Sequence, residues 1–242
     1  DFCTDHIQQW SLDRIDDTIK LKILLEIAQG MAHLHALQPP VVHRDLKSPN
    51  IFLTQPLLDY LDEYHRLLAK EASSRDVSKL LSQPLAKVGD FGLSARLYGS
   101  NALRADQASE MGRRLNPRWA APEVLRHEQY SVASDVYAMG VTMWEVMSWQ
   151  TAFSGQGPAQ VKEKVIRGER MAINFSMQTN SLTTMMHALI EACWQQDASK
   201  RPDFEKIHAQ LRSITSTYLT LSSEQPQPTN DQSTQLQSTN NQ

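Results

Sequence analysis

From Val136 to Trp149 the chain reads Val-Tyr-Ala-Met-Gly-Val-Thr-Met-Trp-Glu-Val-Met-Ser-Trp, a near-continuous apolar run. A helix that is apolar on every side has no face for water, so this segment predicts a helix enclosed by protein at the centre of its domain. Ser134 and Asp135 just ahead of it are residue types that cap helix starts. An enclosed helix needs other elements to cover it, which points to a layered and mostly helical body. Nowhere does an uninterrupted apolar run reach the about 18 residues of a membrane span.

The 242 residues, 40% of them hydrophobic, suffice for one sizeable core. Lys and Arg number 24 against 27 Asp and Glu, and the net charge of −3 gives no broad attraction for nucleic acid or an anionic membrane. Cys3 and Cys193 are too few and too far apart for a disulfide scaffold or a metal ligand set, so a reducing, cytoplasmic setting is expected. The opening Asp1-Phe2-Cys3-Thr4-Asp5-His6 is no signal peptide and carries no initiator Met, so the chain is expected to begin inside a longer polypeptide. From about Ser222 to Gln242 the polar composition predicts a disordered tail or linker.

Ile19, Ile23, Leu24, Ile27, Ala28, Met31 and Leu34 recur at helical spacing, predicting a long amphipathic helix from about Ile15 to Leu37 that Pro39 and Pro40 stop. After Val41-Val42, the segment His43-Arg44-Asp45-Leu46-Lys47-Ser48-Pro49-Asn50 reads as a polar loop bracketed by short strands. Residues 54–86 mix Leu57, Leu58, Leu61, Tyr64, Leu67 and Leu68 with charged residues, predicting one or two surface helices. Lys87-Val88-Gly89-Asp90-Phe91-Gly92 returns to a short strand and turn, and 93–115 reads as a mobile loop. Helices are expected at about 159–166, 182–194 and 202–218.

Two segments carry chemistry: His43-Arg44-Asp45-Leu46-Lys47-Ser48-Pro49-Asn50 and Asp90-Phe91-Gly92, followed in order by Ala121-Pro122-Glu123. Either fragment alone is an ordinary solvated turn, but their joint order resembles the catalytic set of the eukaryotic protein kinases. Phosphoryl transfer needs an oriented hydroxyl, a metal-held triphosphate and positive charge near the moving group. The resemblance, over about residues 1–215, implies a kinase-like, mainly α-helical C-lobe with short β-hairpins, without an N-lobe in this chain.

By the same resemblance Asp45 orients the substrate hydroxyl, Lys47 approaches the transferred phosphate, and Asn50 and Asp90 hold magnesium. The adenine of ATP meets the hinge backbone at Asp1 and Cys3 and rests on Phe52. His43 and Phe91 resemble members of the hydrophobic column between the lobes. On the bland reading, these two and Phe52 are simply buried core side chains. Asp135 resembles the buried aspartate that anchors the catalytic loop, and Glu123 with Arg201 the buried ion pair that fastens the activation segment, 90–123. Arg44 is placed to receive a phosphate on Ser109, Ser100 or Tyr98. Cys193-Trp194-Gln195-Gln196-Asp197 and Arg201-Pro202-Asp203-Phe204 match tyrosine kinases and the tyrosine-kinase-like serine/threonine group. Lys47-Ser48-Pro49 favours the latter, hence a protein substrate with a Ser or Thr hydroxyl; tyrosine or dual specificity is the alternative.

Three departures stand out. Leu115-Asn116 replaces the usual Gly-Thr, and the Asn116 amide is expected to bond Asp45 or Lys47 instead. Between Asn50 and Asp90 lie 39 residues, so 54–86 reads as an insertion: either a protein-partner surface or a neutral excursion, tolerable because closure entropy grows slowly with length. No glycine-rich phosphate loop or strand lysine precedes residues 1–5, which resemble the hinge, so the smaller lobe is expected upstream. The rival readings are a pseudokinase or scaffold that holds a protein partner, and a small-molecule phosphotransferase.

Overall fold

The computed structural model describes residues 15–69, 73–98, 102–104 and 115–224. The central apolar run forms helix α5 (Val132–Ser148), with every residue from Ser134 to Met147 buried. Its start is one turn earlier than expected. Ser131 is the N-cap and its hydroxyl accepts from the Ala133 amide, while the Ser134 hydroxyl accepts from the Ser131 amide. Ser134 therefore serves in the cap as third helical residue, and Asp135 is free to turn elsewhere.

Around α5 lie α1 (Asp17–Ala36), α7 (Asn180–Cys193) and α8 (Phe204–Glu224), with α1 packed along α8 and α7 against both α5 and α8. Asp16 caps α1 by accepting from the Ile19 amide, and the chain turns extended at Leu37, before the prolines. Gly140 is what lets α5 and α7 meet: a Cβ there would lie 3.0 Å from the Cys193 Cβ and 3.2 Å from the Trp194 amide nitrogen. Helix α8 carries on six residues past the expected Tyr218, so the first three residues assigned to the polar tail, 222–224, are helical.

The β-structure among the described residues is three two-stranded antiparallel pairs. Strand β1 (Val41–Val42) pairs with β4 (Ala95–Arg96), β2 (Ile51–Leu53) with β3 (Ala86–Val88), and β5 (Ala102–Arg104) with β6 (Gln129–Ser131). Two of these strands fall in the stretch expected to be a mobile loop; pairing with partners tens of residues away orders what local periodicity could not show. The mainly helical kinase-like lobe with small hairpins is thus observed, with no larger sheet among the described residues.

The segment 54–86 folds as α2 (Leu57–Ala69) and α3 (Ser74–Ser82). It is more than a surface excursion. Tyr60, Leu61, Tyr64 and Leu80 are buried in the main core. The Tyr60 hydroxyl donates to the Leu80 carbonyl at 3.2 Å and that of Tyr64 to Thr18 Oγ1 at 3.3 Å. Burial pushes both phenols well above their ordinary range. Lys22 on α1 donates to Leu81 O at 2.7 Å, and Glu26 on α1 accepts from the Leu85 and Ala86 amides, so one face of α1 is committed to this segment. Remaining helices are α4 (Pro122–Leu125) and α6 (Pro158–Arg167).

Candidate active site

Between β1 and β2 the loop is held from below by a single carboxylate. Asp135 Oδ2 accepts from the His43 amide at 2.8 Å and Oδ1 from the Arg44 amide at 2.9 Å. The Tyr130 hydroxyl donates to Oδ1 at 2.9 Å and His35 Nε2 lies 3.0 Å from Oδ2. Burial alone would raise this carboxyl, but the His35 ring and the two amides outweigh it and hold Asp135 below the usual carboxylate range. Arg44 sits at φ 70, a left-handed conformation that costs a residue with a Cβ, and the bond from its amide to Asp135 keeps it there. The anchoring duty expected of Asp135 matches this geometry and the capping duty does not.

Above that anchor the loop gathers three of the residues singled out from sequence. Lys47 Nζ donates to Asp45 Oδ2 at 2.7 Å. Asn50 Nδ2 donates to Asp45 O at 2.8 Å and to Asp45 Oδ2 at 2.9 Å. Asp45 is thus fixed by an ammonium and an amide, while the Asn50 amide hydrogens point inward and its oxygen is the atom left to offer a cation. Asn116 borders the same recess as Asp45 and Lys47. Its side-chain oxygen, however, accepts from the Arg118 amide at 3.2 Å, a local turn bond that wins over the expected reach to Asp45 or Lys47.

Gly89 ties the second motif to the first. Its amide donates to Asn50 O at 2.9 Å and its carbonyl lies 3.0 Å from His43 Nε2. A Cβ at Gly89 would approach the Phe52 ring to 2.6 Å, so only glycine lets strand and ring close up. Asp90 follows at φ 59, exposed, with Oδ1 accepting from the Gly92 amide at 3.4 Å. Phe52 is 54% and Phe91 49% exposed, which corrects the bland expectation that both are buried core. Phe91 stands against His43, ring centroids 5.1 Å apart, and the two phenylalanines leave an apolar face open beside the polar loop. The proposed hinge contacts Asp1 and Cys3 lie outside the described residues, as do Ser100 and Ser109; Tyr98 is described and is exposed.

The donor set suits magnesium. An amide oxygen and one carboxylate are hard ligands, and magnesium characteristically takes few protein ligands while keeping waters and substrate phosphates. No cluster of three or more His, Cys, Asp or Glu able to hold a metal occurs among the described residues.

A family model described as protein tyrosine and serine/threonine kinase matches residues 5–211. The chain belongs to this protein kinase family. Relatives include the probable serine/threonine-protein kinase pats1 of Dictyostelium discoideum, 38% identical over 81% of this chain and 5% of that protein. The serine/threonine-protein kinase CTR1 of Arabidopsis thaliana is 34% identical over 84% of this chain and 20% of its own. The probable serine/threonine-protein kinase roco6 of Dictyostelium discoideum is 33% identical over 80% and 8%. The chain therefore spans a fifth or less of the length of these kinases.

The expected ion pair is present in this kinase lobe. Arg201 Nη1 and Nη2 donate to Glu123 Oε1 and Oε2, each at 2.8 Å, with the Arg201 side chain fully enclosed. Burial raises the Glu123 carboxyl, but the guanidinium overrides it and the net position is below the ordinary range. The sequence reading passed over His35, Tyr130 and Glu145. The first two have no local signal, being contacts across tens of residues or across a cap. Glu145 had one: it is the carboxyl inside the apolar run, enclosed at 0% exposure.

Proposed function

We propose that this chain is the C-lobe of a serine/threonine kinase of the tyrosine-kinase-like group, which transfers the terminal phosphate of ATP to a protein Ser or Thr hydroxyl. The observation that carries the reading is the Asp45–Lys47–Asn50 cluster, locked to the backbone beside Asp90 through Gly89. In this reading 1–5 is the hinge, 6–218 the lobe with its insertion at 54–86, and 90–123 the activation segment. Asp45 orients the incoming hydroxyl and accepts its proton; its carboxylate is preset by Lys47 and Asn50, so no side chain must reorganise when substrate arrives. Lys47, 2.7 Å from Asp45, brings positive charge to the phosphate in flight. Asn50 and Asp90 hold magnesium, which when bound would neutralise phosphate charge, and Phe52 offers its exposed ring to adenine, whose other contacts are assigned to the hinge backbone at Asp1 and Cys3.

Serine/threonine specificity is supported by the Lys47-Ser48-Pro49 segment and by the relatives, which are serine/threonine-protein kinases or probable ones. In-line placement of ATP also needs a phosphate-covering element, and the chain spans a fifth or less of the length of its relatives, so the full-length protein is the one to test. The test is incorporation of labelled terminal phosphate into Ser/Thr and Tyr peptide libraries by the full-length protein. Magnesium-dependent labelling of the Ser/Thr library is expected, with a loss of about a hundredfold or more in Asp45→Asn and Asp90→Asn. Unchanged labelling in both variants overturns the assigned roles, and a full-length protein that labels neither library is a scaffold.

A further inference from the structure

Asn50 and Asp90 stand at one end of a single hairpin, and the inserted segment is attached to the other. Strands β2 and β3 are three residues each, paired Ile51 to Val88, Phe52 to Lys87 and Leu53 to Ala86. At the near end the Gly89 amide donates to Asn50 O at 2.9 Å, and Asp90 follows. At the far end the Thr54 amide donates to Leu85 O at 2.9 Å and the Thr54 hydroxyl to Pro84 O at 2.6 Å. Hairpins usually take their register from a turn of about two to five residues, and a lone two-stranded pair is only marginally stable. Here residues 55–83, with α2 and α3, replace that turn, and a connection of such length does not by itself set how the strands align.

The alignment is held instead from α1. Glu26 Oε2 accepts from the Ala86 amide at 2.7 Å and from the Leu85 amide at 3.0 Å. These belong to the first residue of β3 and the one before it, so Glu26 grips the strand where it leaves the insertion. The Lys22 ammonium, 9% exposed, donates to Glu26 Oε1 at 2.6 Å and to Leu81 O, in the last turn of α3, at 2.7 Å. A cation is well placed there, because the last carbonyls of a helix lack partners within it and carry the negative end of its dipole. One turn beyond Glu26, a Cβ on Gly30 would stand 3.8 Å from Val88 Cγ2, so β3 lies along α1 from its first residue to its last.

Alignment bears directly on the metal. A slip of one residue between β2 and β3 would carry Asp90 about 3.3 Å along Asn50. Magnesium holds oxygens at about 2.0–2.1 Å in a near-ideal octahedron and does not tolerate a shift of that size.

We propose, on the basis of the kinase reading above, that Lys22 and Glu26 are positioning residues for magnesium: they clamp β3 and the inserted segment to α1 and thereby set the spacing between Asn50 and Asp90. The insertion is then part of what determines metal affinity. Neither residue borders the recess formed by Asp45, Lys47 and Asn116, so the effect falls on the metal and spares the protein substrate.

The experiment uses the full-length protein, with Mn2+ as a paramagnetic probe that oxygen ligands also take. Titration of Mn2+ into the ADP complex, followed by electron paramagnetic resonance, should show binding about tenfold or more weaker in Glu26→Ala than in the native protein, and weaker in Lys22→Met as well. KM for protein substrate should change by less than about twofold in both variants. Affinities within about twofold of native in both folded variants overturn the positioning role alone. A native protein that takes up no Mn2+ with ADP overturns the kinase reading and this role with it. Equal losses in metal affinity and in KM for protein substrate mark a general loosening of the lobe and also overturn the role. If neither variant folds, hydrogen exchange of the native protein decides. Coupling is reciprocal, so Mg2+ added to the ADP complex should slow the Leu85 and Ala86 amides about fivefold or more beyond any slowing in α7. Exchange at Leu85 and Ala86 that slows no more than in α7 overturns the proposal.

Discussion

Glu123 and Arg201 show how much a single pair holds in place. The guanidinium gives two parallel bonds to the carboxylate, a third to Ala133 O at 2.8 Å and a fourth to Gln195 O at 2.9 Å, while Ser134 donates to Glu123. Four stretches of chain, the starts of α4 and α5, the end of α7 and the turn before α8, thereby share one charge centre. Removing either partner leaves the other uncompensated, a buried charge at Arg201 or a largely enclosed one at Glu123, so Glu123→Gln or Arg201→Ala is expected to cost about 3–5 kcal/mol. Chemical denaturation reads this directly, and a change under about 0.5 kcal/mol in both variants would show the pair to be dispensable.

Helices α2 and α3 raise a different question, whether a segment inserted between two motifs is ornament or structure. Their charged faces are exposed, as in the Arg66–Glu63 pair, yet Tyr60 and Leu61 are 1% exposed and Lys22 of α1 is spent on Leu81 O. The element is therefore expected to behave as part of the core. Leu61→Ala should destabilise the lobe by about 2–5 kcal/mol through the cavity it leaves, and Tyr60→Phe by about 1 kcal/mol through its lost bond to Leu80 O. Arg66→Ala on the outer face should leave the unfolding midpoint essentially unchanged, its ion pair being screened by solvent. Thermal or urea unfolding of the three variants checks the contrast; a negligible effect of Leu61→Ala would return the segment to the status of a neutral excursion.

For the whole molecule, the buried Glu145 and the partly buried Glu123 impose opposite pH dependences. Glu145, raised to about 7 in the fold from an ordinary 4.5, contributes stability that is complete below about pH 4.5 and lost as pH rises through about 7. Glu123, held below its ordinary 4.5, contributes stability present above that value and lost on further acidification. Unfolding free energy of the native protein should therefore fall relative to Glu145→Gln by roughly 3 kcal/mol between about pH 5 and pH 8, measured by urea melts at several pH values. Parallel pH profiles for the two proteins would contradict a raised Glu145. The same carboxyl illustrates what was legible beforehand. Local order along the chain was enough to place a buried central helix, a loop carrying Asp45, Lys47 and Asn50, and the turn at Asp90, because periodicity and short spacings act within a few residues. Long-range packing decided the rest. It turned Asp135 to the His43 and Arg44 amides, seated 54–86 against α1, left Phe52 and Phe91 uncovered, and brought Trp119 onto Glu145. Each of these depends on partners tens of residues apart, whose approach has no periodic signature and is set by which surfaces the folded core brings together.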